Sequence, residues 1–408
     1  MSKPGFIVTF CSILVITTIL TSCTQGTSER SAELPADLEK IENLTIYPAG
    51  VEAKVDMRFE RERSFGDSPA ITFGNLGRFD VDSDGRVYIN DYQQNTLNIF
   101  ESDGRYLTTI GGSGNGPGEY TFGPFPVLKS DQLFLIDGMK ARVNLHSTDD
   151  FELTQTISLN PTNKGSYEEL ADAQMNQILI VNEERFLVRM TRFIRTLADK
   201  AGELKDDRLI FFYTMGDDAR LIKPITEPVP MYEITGEAPE DFQPQGPFSR
   251  ASPRPQIFTK PIVTVSDDGS IYSALSDRLL IKKYNTNGDY LSAIYHPFIN
   301  LQMTKEDAVS SQGTPFLADL VSQNEVPDNW SAMDDLLADD EGRLWVATIV
   351  EDLSVYEWWV LEESGQLVTK FDWPRDEPIE VIKNGKIYTR ETDEDTGLQR
   401  VVRYGIVM

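Results

Sequence analysis

Apolar and polar residues alternate in short runs along most of the chain, and turns rich in Asp, Asn and Gly separate many of these runs. The clearest unit spans residues 77–120, where Phe79 and Val81 begin the alternation and the turn glycines Gly85 and Gly104 interrupt it. Alternation with a period of two is typical of half-buried β-strands, and an Asp-Gly pair supplies the positive φ that a tight hairpin requires. The unit therefore predicts a four-stranded antiparallel meander.

The same order of strands and turns recurs along the chain. Residues 263–294 repeat it closely, because Gly269 and Gly288 are 19 residues apart, as are Gly85 and Gly104. Further copies, of which the first two are weak and the last contains three strands, cover residues 126–158, 177–213, 336–365 and 379–407. Repeats of roughly forty residues with four short strands are typical of the blades of a β-propeller.

The strand missing from the last repeat has a candidate near the other end of the chain. In residues 54–60, the apolar side chains of Val55, Met57 and Phe59 alternate with charged ones. Pairing this segment with the last repeat would close the ring and remove the exposed edges of an open sheet. We therefore predict an all-β fold, a six-bladed β-propeller closed by an N-terminal strand, with a short helical insertion.

Two insertions interrupt the repeats within the predicted propeller domain, residues 45–408. Residues 223–261 contain 9 of the 22 prolines of the chain, which predicts a long loop over one face. In residues 300–330, Thr304 precedes Lys305, Glu306 and Asp307, and Thr314 precedes Pro315. A Thr followed by acidic residues or Pro is a helix-start signal, so this insertion predicts one or two short helices.

The N-terminus predicts export and lipid attachment. Lys3 precedes an apolar run at residues 6–20, which has the length of a signal-peptide core and is short for a membrane span. The run ends in Leu20-Thr21-Ser22-Cys23, which resembles the lipobox of bacterial lipoproteins. We predict a signal peptide at residues 1–22, a lipidated Cys23 and a flexible tether at residues 23–44. An uncleaved anchor helix and an ordinary signal peptide are the alternatives.

These features place the protein in the bacterial cell envelope, anchored to a membrane by lipid on its periplasmic or surface face. Several acyl chains on one cysteine suffice for stable anchoring. Cys11 lies in the predicted signal peptide and Cys23 would carry the lipid, so the mature body would have no thiol for a disulfide, a zinc site or a nucleophile.

The formal net charge of −27 limits the range of partners. An acidic surface repels nucleic-acid phosphates and anionic lipid headgroups, so we predict no nucleic-acid binding. A monomer whose ligand is an unidentified protein or small molecule is the expected state.

Two segments carry a family resemblance. Residues 84–88 (Asp-Gly-Arg-Val-Tyr) and the glycine-rich residues 110–120 resemble an NHL-type propeller repeat and the segment that links two such blades. With residues 339–345 (Asp-Asp-Glu-Gly-Arg-Leu-Trp), the chain is similar to bacterial six-bladed β-propeller lipoproteins. The resemblance implies a propeller architecture and an envelope location, and it implies no reaction.

Several motifs could carry chemistry, but each has a structural interpretation that we favour. Residues 111–118 could cradle a phosphate, but no helix start and no Lys follow them, so a turn between blades is expected. Residues 82–85 resemble part of a calcium loop, but position twelve is Gln93 instead of Glu, so a hairpin turn is expected. Asp91 and Asp137 at strand ends are expected to cap turns.

The histidines and the adjacent tryptophans do not form a recognisable active-site motif in the sequence. His146 and His296 are the only histidines, so a site with three histidine ligands is excluded, and both are expected to be structural or at the surface. No Gly-x-Ser-x-Gly motif is present. Trp358 and Trp359 are adjacent in a predicted strand and should point in opposite directions, which favours core packing over sugar stacking.

We therefore expect a binding or scaffold protein, with its ligand at the mouth of the central channel beneath the two insertions. No catalytic, metal or cofactor residue is predicted. The alternative is a metal-dependent hydrolase or lyase of the lactonase type, which would require calcium or another hard cation in the channel. The fold alone decides neither.

Overall fold

Nearly all regular structure in the described part of this chain is β-strand. The computed structural model describes residues 35–66, 71, 73, 76–193, 205–233, 257–393 and 395–408. The chain divides into a short unit that ends at Ile41 and a large unit from Glu42 to Met408. In the short unit, Leu38–Lys40 form one turn of 3-10 helix within the segment predicted as a tether.

The large unit begins with two strands that precede the first complete blade, β1 (Leu44–Ile46) and β2 (Arg58–Phe65). Blade one contains β3 (Leu76–Val81), β4 (Val87–Asp91), β5 (Thr96–Phe100) and β6 (Tyr106–Gly111). Blade two contains β7 (Phe125–Lys129), β8 (Gln132–Asp137), β9 (Arg142–Ser147) and β10 (Leu153–Ser158). Blade three contains β11 (Gln174–Asn182), β12 (Arg185–Phe193), β13 (Lys205–Gly216), β14 (Leu221–Pro224) and β15 (Val229–Glu233).

The second half of the chain supplies three more blades. Blade four contains β16 (Pro261–Val265), β17 (Ile271–Leu275), β18 (Leu280–Tyr284) and β19 (Tyr290–Tyr295), with β1 added in parallel to β19. Blade five contains β20 (Met333–Ala338), β21 (Leu344–Ile349), β22 (Val355–Leu361) and β23 (Leu367–Pro374). Blade six contains β24 (Ile379–Lys383), β25 (Lys386–Thr392) and β26 (Gln399–Val407). Short 3-10 turns occur at Gly138–Lys140, Lys164–Ser166 and Glu168–Leu170.

Strand β2 completes blade six, which confirms the predicted closure. It pairs antiparallel with β26 from Arg58 opposite Val407 to Phe65 opposite Val401. The strand begins at Arg58, three residues after the predicted Val55, because the Val55 amide instead bonds to the Val368 carbonyl of blade five at 3.2 Å. The protein is therefore a six-bladed β-propeller in which the first long strand completes the last sheet.

An apolar cluster lies at each of the six junctions between neighbouring blades. Phe65 and Tyr388 of blade six, for example, pack with Phe79 and Ile89 of blade one across the closing junction. The other five clusters join blades one and two, two and three, three and four, four and five, and five and six. Because every blade buries both faces, burial of apolar surface holds the ring together all the way round.

The insertion between blades four and five is helical, as predicted. It contains α1 (Lys305–Ser310) and α2 (Pro315–Gln323). The Thr304 and Thr314 hydroxyls accept hydrogen bonds from the first-turn amides at 3.1 and 3.2 Å, which is N-cap geometry. Both helices pack on an apolar cluster that includes Trp330. Neither of these helices is long and apolar enough to cross a membrane, and the part of the chain that the structure describes has no other candidate.

The proline-rich segment at residues 223–261 begins with ordered sheet. Within it, Val229–Glu233 forms β15, which pairs with β13 and adds a strand to blade three. The prediction of a loop did not anticipate this strand. Residues 234–256, on which most of that predicted loop falls, lie outside the described residues.

Candidate functional site

The central channel is lined by the first strand of each blade, namely β3, β7, β11, β16, β20 and β24. Each blade starts with its innermost strand, so these six strands run in the same direction along the axis. Their N-terminal ends meet at one mouth, here called the upper mouth, together with the helical insertion and the described connections between blades. Their C-terminal ends meet at the lower mouth, together with the first hairpin turn of each blade.

Charged side chains from four blades meet at the lower mouth. The Lys129 ammonium of blade two donates to the Ser266 carbonyl of blade four at 2.6 Å. The Lys383 ammonium of blade six lies 3.2 Å from the Asp267 carboxylate of blade four. Asp80 of blade one accepts hydrogen bonds from the Leu128 and Val81 amides at 2.7 and 2.8 Å. The two lysine contacts bridge the channel between blades that are not neighbours, whereas Asp80 links blade one to the adjacent blade two.

Burial affects the pKa values of the charged side chains at the lower mouth. It raises the pKa of Asp80 to about 6, although Lys383 and two backbone amides oppose the change. It lowers the pKa of Lys129 to about 8, against the attraction of Asp267 and Asp80. Burial also opposes the charge of Lys383, but Asp80 and Asp267 outweigh it and raise the pKa of that ammonium. The lower mouth therefore holds one ion pair and several hydrogen bonds of charged side chains, which together link four blades.

The upper mouth has an arginine beside three aromatic rings. The Tyr92 ring stacks on Phe122 with centroids 5.2 Å apart and meets Phe125 edge-on at 5.8 Å. The Arg78 guanidinium lies 5.2 Å from the centre of the Phe125 ring. Burial raises the pKa of the Tyr92 hydroxyl, and the positive charge of Arg78 opposes that change. Arg78 is exposed and forms no ion pair with any described residue.

Two sets of charged side chains at the upper mouth are paired. Arg390 binds both carboxylate oxygens of Glu380, at 2.6 and 3.1 Å, and also donates to the carbonyls of Leu76 and Gly77. The Asp334 carboxylate accepts from Lys260 at 2.7 Å and from the Tyr356 hydroxyl at 2.8 Å. Among the residues that the structure describes, these groups pair with one another, whereas Arg78 has the Tyr92 side chain beside it and no carboxylate partner.

The glycine-rich segment is a connection between blades, as expected. The Tyr120 amide donates to the Gly112 carbonyl at 2.8 Å, and β7 follows the segment without an intervening helix. Lys140 donates to the Gly114 carbonyl at 3.1 Å, and Arg142 donates to the Glu119 carbonyl. The cations near the segment thus bind its own carbonyl groups.

The Asp-x-Asp-Gly stretch is a hairpin turn, as expected. The buried Asp82 carboxylate accepts from the amides of Asp84 and Arg86 at 3.0 and 2.8 Å, and from the Tyr88 hydroxyl at 2.9 Å. It also pairs with the Arg86 guanidinium at 2.8 Å. Gly85 has φ = +80°, which explains why glycine follows the aspartates.

The other candidate carboxylates and both histidines have structural roles. Asp91 accepts from the Gln93 amide at 2.8 Å, and Asp137 accepts from the Lys140 amide at 3.3 Å, so both cap turns. The buried ring of His146 bonds to the Phe151 carbonyl at 2.9 Å. His296 bonds to the Gly365 carbonyl at 2.8 Å. Burial lowers the pKa of both imidazoles.

The adjacent tryptophans point to opposite neighbours, as the strand geometry predicted. Trp358 packs in the cluster between blades five and six, and Trp359 packs in the cluster between blades four and five. The Lys370 ammonium lies 3.4 Å from the centre of the Trp359 ring, which fills that ring face. Core packing therefore accounts for the pair.

Two further predictions concern metal and lipid. Among the described residues, no group of three or more His, Cys, Asp or Glu is placed to hold a metal ion. Cys23, the predicted lipidation site, lies outside the described residues. The sequence reasoning did not single out Arg78, Lys129 or Lys383, although each lies in an innermost strand.

Comparison with known proteins agrees with the architecture. Residues 71–186 match the DUF5128 family model, which is described as a 6-bladed β-propeller. No curated protein matches the chain in sequence.

Three solved structures illustrate the resemblance in overall shape. A putative exported protein from Bacteroides fragilis is 12% identical over 90% of this chain and 99% of its own, with a TM-score of 0.47. A member of the DUF4221 family from Bacteroides vulgatus is 11% identical over 86% and 98%, with a TM-score of 0.49. Virginiamycin B lyase from Staphylococcus aureus is 10% identical over 86% and 100%, with a TM-score of 0.38. Similarity at this level carries no information about activity.

Proposed function

We propose that this protein is a lipid-anchored binding propeller of the bacterial cell envelope, with NHL-like repeats, that holds a ligand at its upper mouth without chemical turnover. The observation that supports the proposal is Arg78, an exposed guanidinium with no ion pair among the described residues, next to the stacked rings of Tyr92 and Phe122. Among the described residues, Arg390 is paired with Glu380 and Lys260 with Asp334, so a ligand at this mouth would meet the Arg78 guanidinium beside an aromatic cluster.

This arrangement suits a ligand that combines an anionic group with a flat apolar part. A carboxylate could form a charge-assisted, two-pronged bond with Arg78, which is the geometry that a guanidinium favours. A ring could pack against Tyr92 or Phe125, since aromatic faces attract each other in offset or edge-on arrangements.

Titration with benzoate tests the site, with the uncharged analogue benzamide as comparison. We expect saturable binding of benzoate, measured by calorimetry, and roughly tenfold weaker binding to Arg78→Met, because a hydrogen bond to a charged group is lost. Arg58→Met is the matched control, since Arg58 is also exposed but pairs with Asp56 at 2.9 Å away from the mouth. Equal binding of benzoate by all three proteins would contradict the assignment of the site to Arg78.

Anchoring is tested separately through Cys23. Cys23→Ala should move the protein from the membrane fraction to the soluble fraction and abolish its labelling by radioactive palmitate, because the acylated thiol is gone. The wild-type chain, fractionated in parallel, is the control. Retention of the variant in the membrane would contradict lipid anchoring while leaving the proposal for the channel mouth intact.

The non-catalytic part of the proposal has its own test. Elemental analysis of the purified protein should find no tightly held metal in stoichiometric amount. One calcium ion per chain together with hydrolysis of a lactone substrate would show that the channel is an active site, and the binding proposal would then be wrong.

A further inference from the structure

Blades one and five share an internal motif in which a turn carboxylate joins a cation to an aromatic donor. In blade one, one oxygen of Asp82 lies 2.9 Å from the Tyr88 hydroxyl and 2.8 Å from the Arg86 guanidinium. In blade five, Asp339 binds the Trp345 indole N–H at 2.9 Å and the Arg343 guanidinium at 2.7 Å. The glycine, the cation and the aromatic residue have the same spacing in both blades.

Blade six keeps the cation and the aromatic donor but lacks the carboxylate. Gly385, Lys386 and Tyr388 have the same spacing as Gly85, Arg86 and Tyr88. The turn is shorter, because Lys383 pairs directly with Lys386 and leaves only Asn384 and Gly385 between them. No aspartate therefore occupies the position of Asp82 or Asp339.

The consequence is an unsatisfied hydroxyl inside the protein. Tyr388 is 0% exposed, and its hydroxyl has no hydrogen-bond acceptor among the described residues. The neighbouring Arg403 guanidinium can only donate, so it does not supply one. Burial raises the pKa of this hydroxyl to about 12, so it remains protonated and can donate. A buried polar group without a partner costs free energy, so such groups are rare and indicate a missing acceptor.

Tyr388 borders a cleft of about 500 Å³ between blades six and one, on the lower face. Three cations of blade six line the same cleft, Arg63, Lys386 and Arg403. Lys386 and Arg403 share a single carboxylate, that of Glu62, at 2.6 and 2.8 Å. Positive charge is therefore in excess on the blade-six side of the cleft.

The acidic residues of blade one that line the cleft are paired with arginines of the same blade. Asp84 pairs with Arg86 at 3.1 Å, and Asp103 pairs with Arg105 at 2.7 Å. With these partners, Glu62 and the second partner of Arg86, Asp82, included, five basic side chains face four acidic ones around the cleft. This local excess of positive charge contrasts with the net charge of −27 for the whole chain.

We infer that this cleft, defined by Arg63, Lys386, Tyr388 and Arg403, is an oxyanion-binding site that takes a small molecule through its phosphate or carboxylate group. An oxygen of the ligand occupies the place that the turn aspartate fills in blades one and five. It accepts from the Tyr388 hydroxyl and is drawn by the surrounding cations. The site lies on the face opposite the upper mouth and does not depend on the function proposed there.

Calorimetric titration of the purified full chain with inorganic phosphate, and separately with malonate, tests the inference and identifies the preferred group. We expect one binding event per chain, at least tenfold weaker in Tyr388→Phe and in Lys386→Met, because each variant removes one contact to a charged group. The matched control is Tyr88→Phe, whose hydroxyl already has Asp82 as acceptor, and it should bind like the wild type.

Thermal unfolding without added anion gives an independent readout. Tyr388→Phe should unfold at or above the wild-type temperature, since it removes an unpaired buried hydroxyl, whereas Tyr88→Phe should unfold at a lower temperature. The inference is overturned if the wild type binds neither anion, if Tyr388→Phe binds as tightly as the wild type, or if both phenylalanine variants lose stability equally. The last result would mean that the Tyr388 hydroxyl has an acceptor within the protein.

Discussion

Asp80 is a carboxylate that the ring has placed deep in the channel, next to two lysines of other blades. Removing a carboxylate from water favours its neutral form, and the two amides and Lys383 that bind or attract it only partly restore the charged form. The pKa in the folded protein is therefore about 6, well above the ordinary value of 3.8. A group with a raised folded pKa links stability to pH in a definite direction.

Substitution of Asp80 by Asn should expose this linkage. In the wild type, Asp80 makes its full contribution to the free energy of unfolding below about pH 4. This contribution is lost as the pH rises through 6, and a pKa shift of this size corresponds to roughly 3 kcal/mol. Asp80→Asn cannot ionise at this position. Its free energy of unfolding, measured in urea, should therefore increase relative to that of the wild type between pH 4 and pH 7. Asp84→Asn, at an exposed turn position, is the control. A constant difference between wild type and Asp80→Asn over this range would show that Asp80 does not titrate there.

At the scale of strands and turns, the sequence was most informative where a hairpin requires glycine. The turns at Gly85, Gly269 and Gly342 adopt φ near +80°, which glycine tolerates and most residues do not, so the flanking strands could be located from the sequence. Blade three was recognisable only by its apolar runs, because its first hairpin turns through Glu183 and Glu184 without a glycine.

Strand β15 was not predicted from the sequence, because it lies in a proline-rich segment. Pro230 lies inside this strand, and proline normally argues against a strand because it lacks an amide donor. The strand nevertheless forms, because it pairs with β13 on one side only and an edge strand does not need every amide. High proline content therefore predicted a loop where the protein uses an edge strand.

The candidate sites were harder to predict than the fold, because they combine residues from distant repeats. Lys129 and Lys383 meet the same turn of blade four, although they belong to the second and sixth blades. The alternation of a strand tells which face a residue occupies, but not which blade it meets across the channel. The missing aspartate at Tyr388 could have been noticed in the sequence, since the three turns align, but the cleft beside it required the structure.

At the scale of the whole molecule, the ring depends on one junction between distant parts of the chain. Five of the six junctions lie between blades that are consecutive in the sequence. The sixth joins blade one to blade six, which β2 from the start of the propeller sequence completes. Opening the ring at this place requires β2 to leave β26, and both edges would then be exposed. We therefore expect separation of β2 from β26 to be an early step in unfolding.

A disulfide across this junction tests that expectation. Arg58 and Val407 are directly paired and both exposed, so Arg58→Cys with Val407→Cys, in a background without Cys11 and Cys23, would tie the two strands together at little cost to packing. Closing so long a loop should stabilise the fold by up to about 5 kcal/mol and slow unfolding in urea, and a reductant should abolish the effect. The control is Leu280→Cys with Tyr295→Cys, a paired position inside blade four that closes a short loop. If both disulfides slowed unfolding equally, the ring would not open first between β2 and β26.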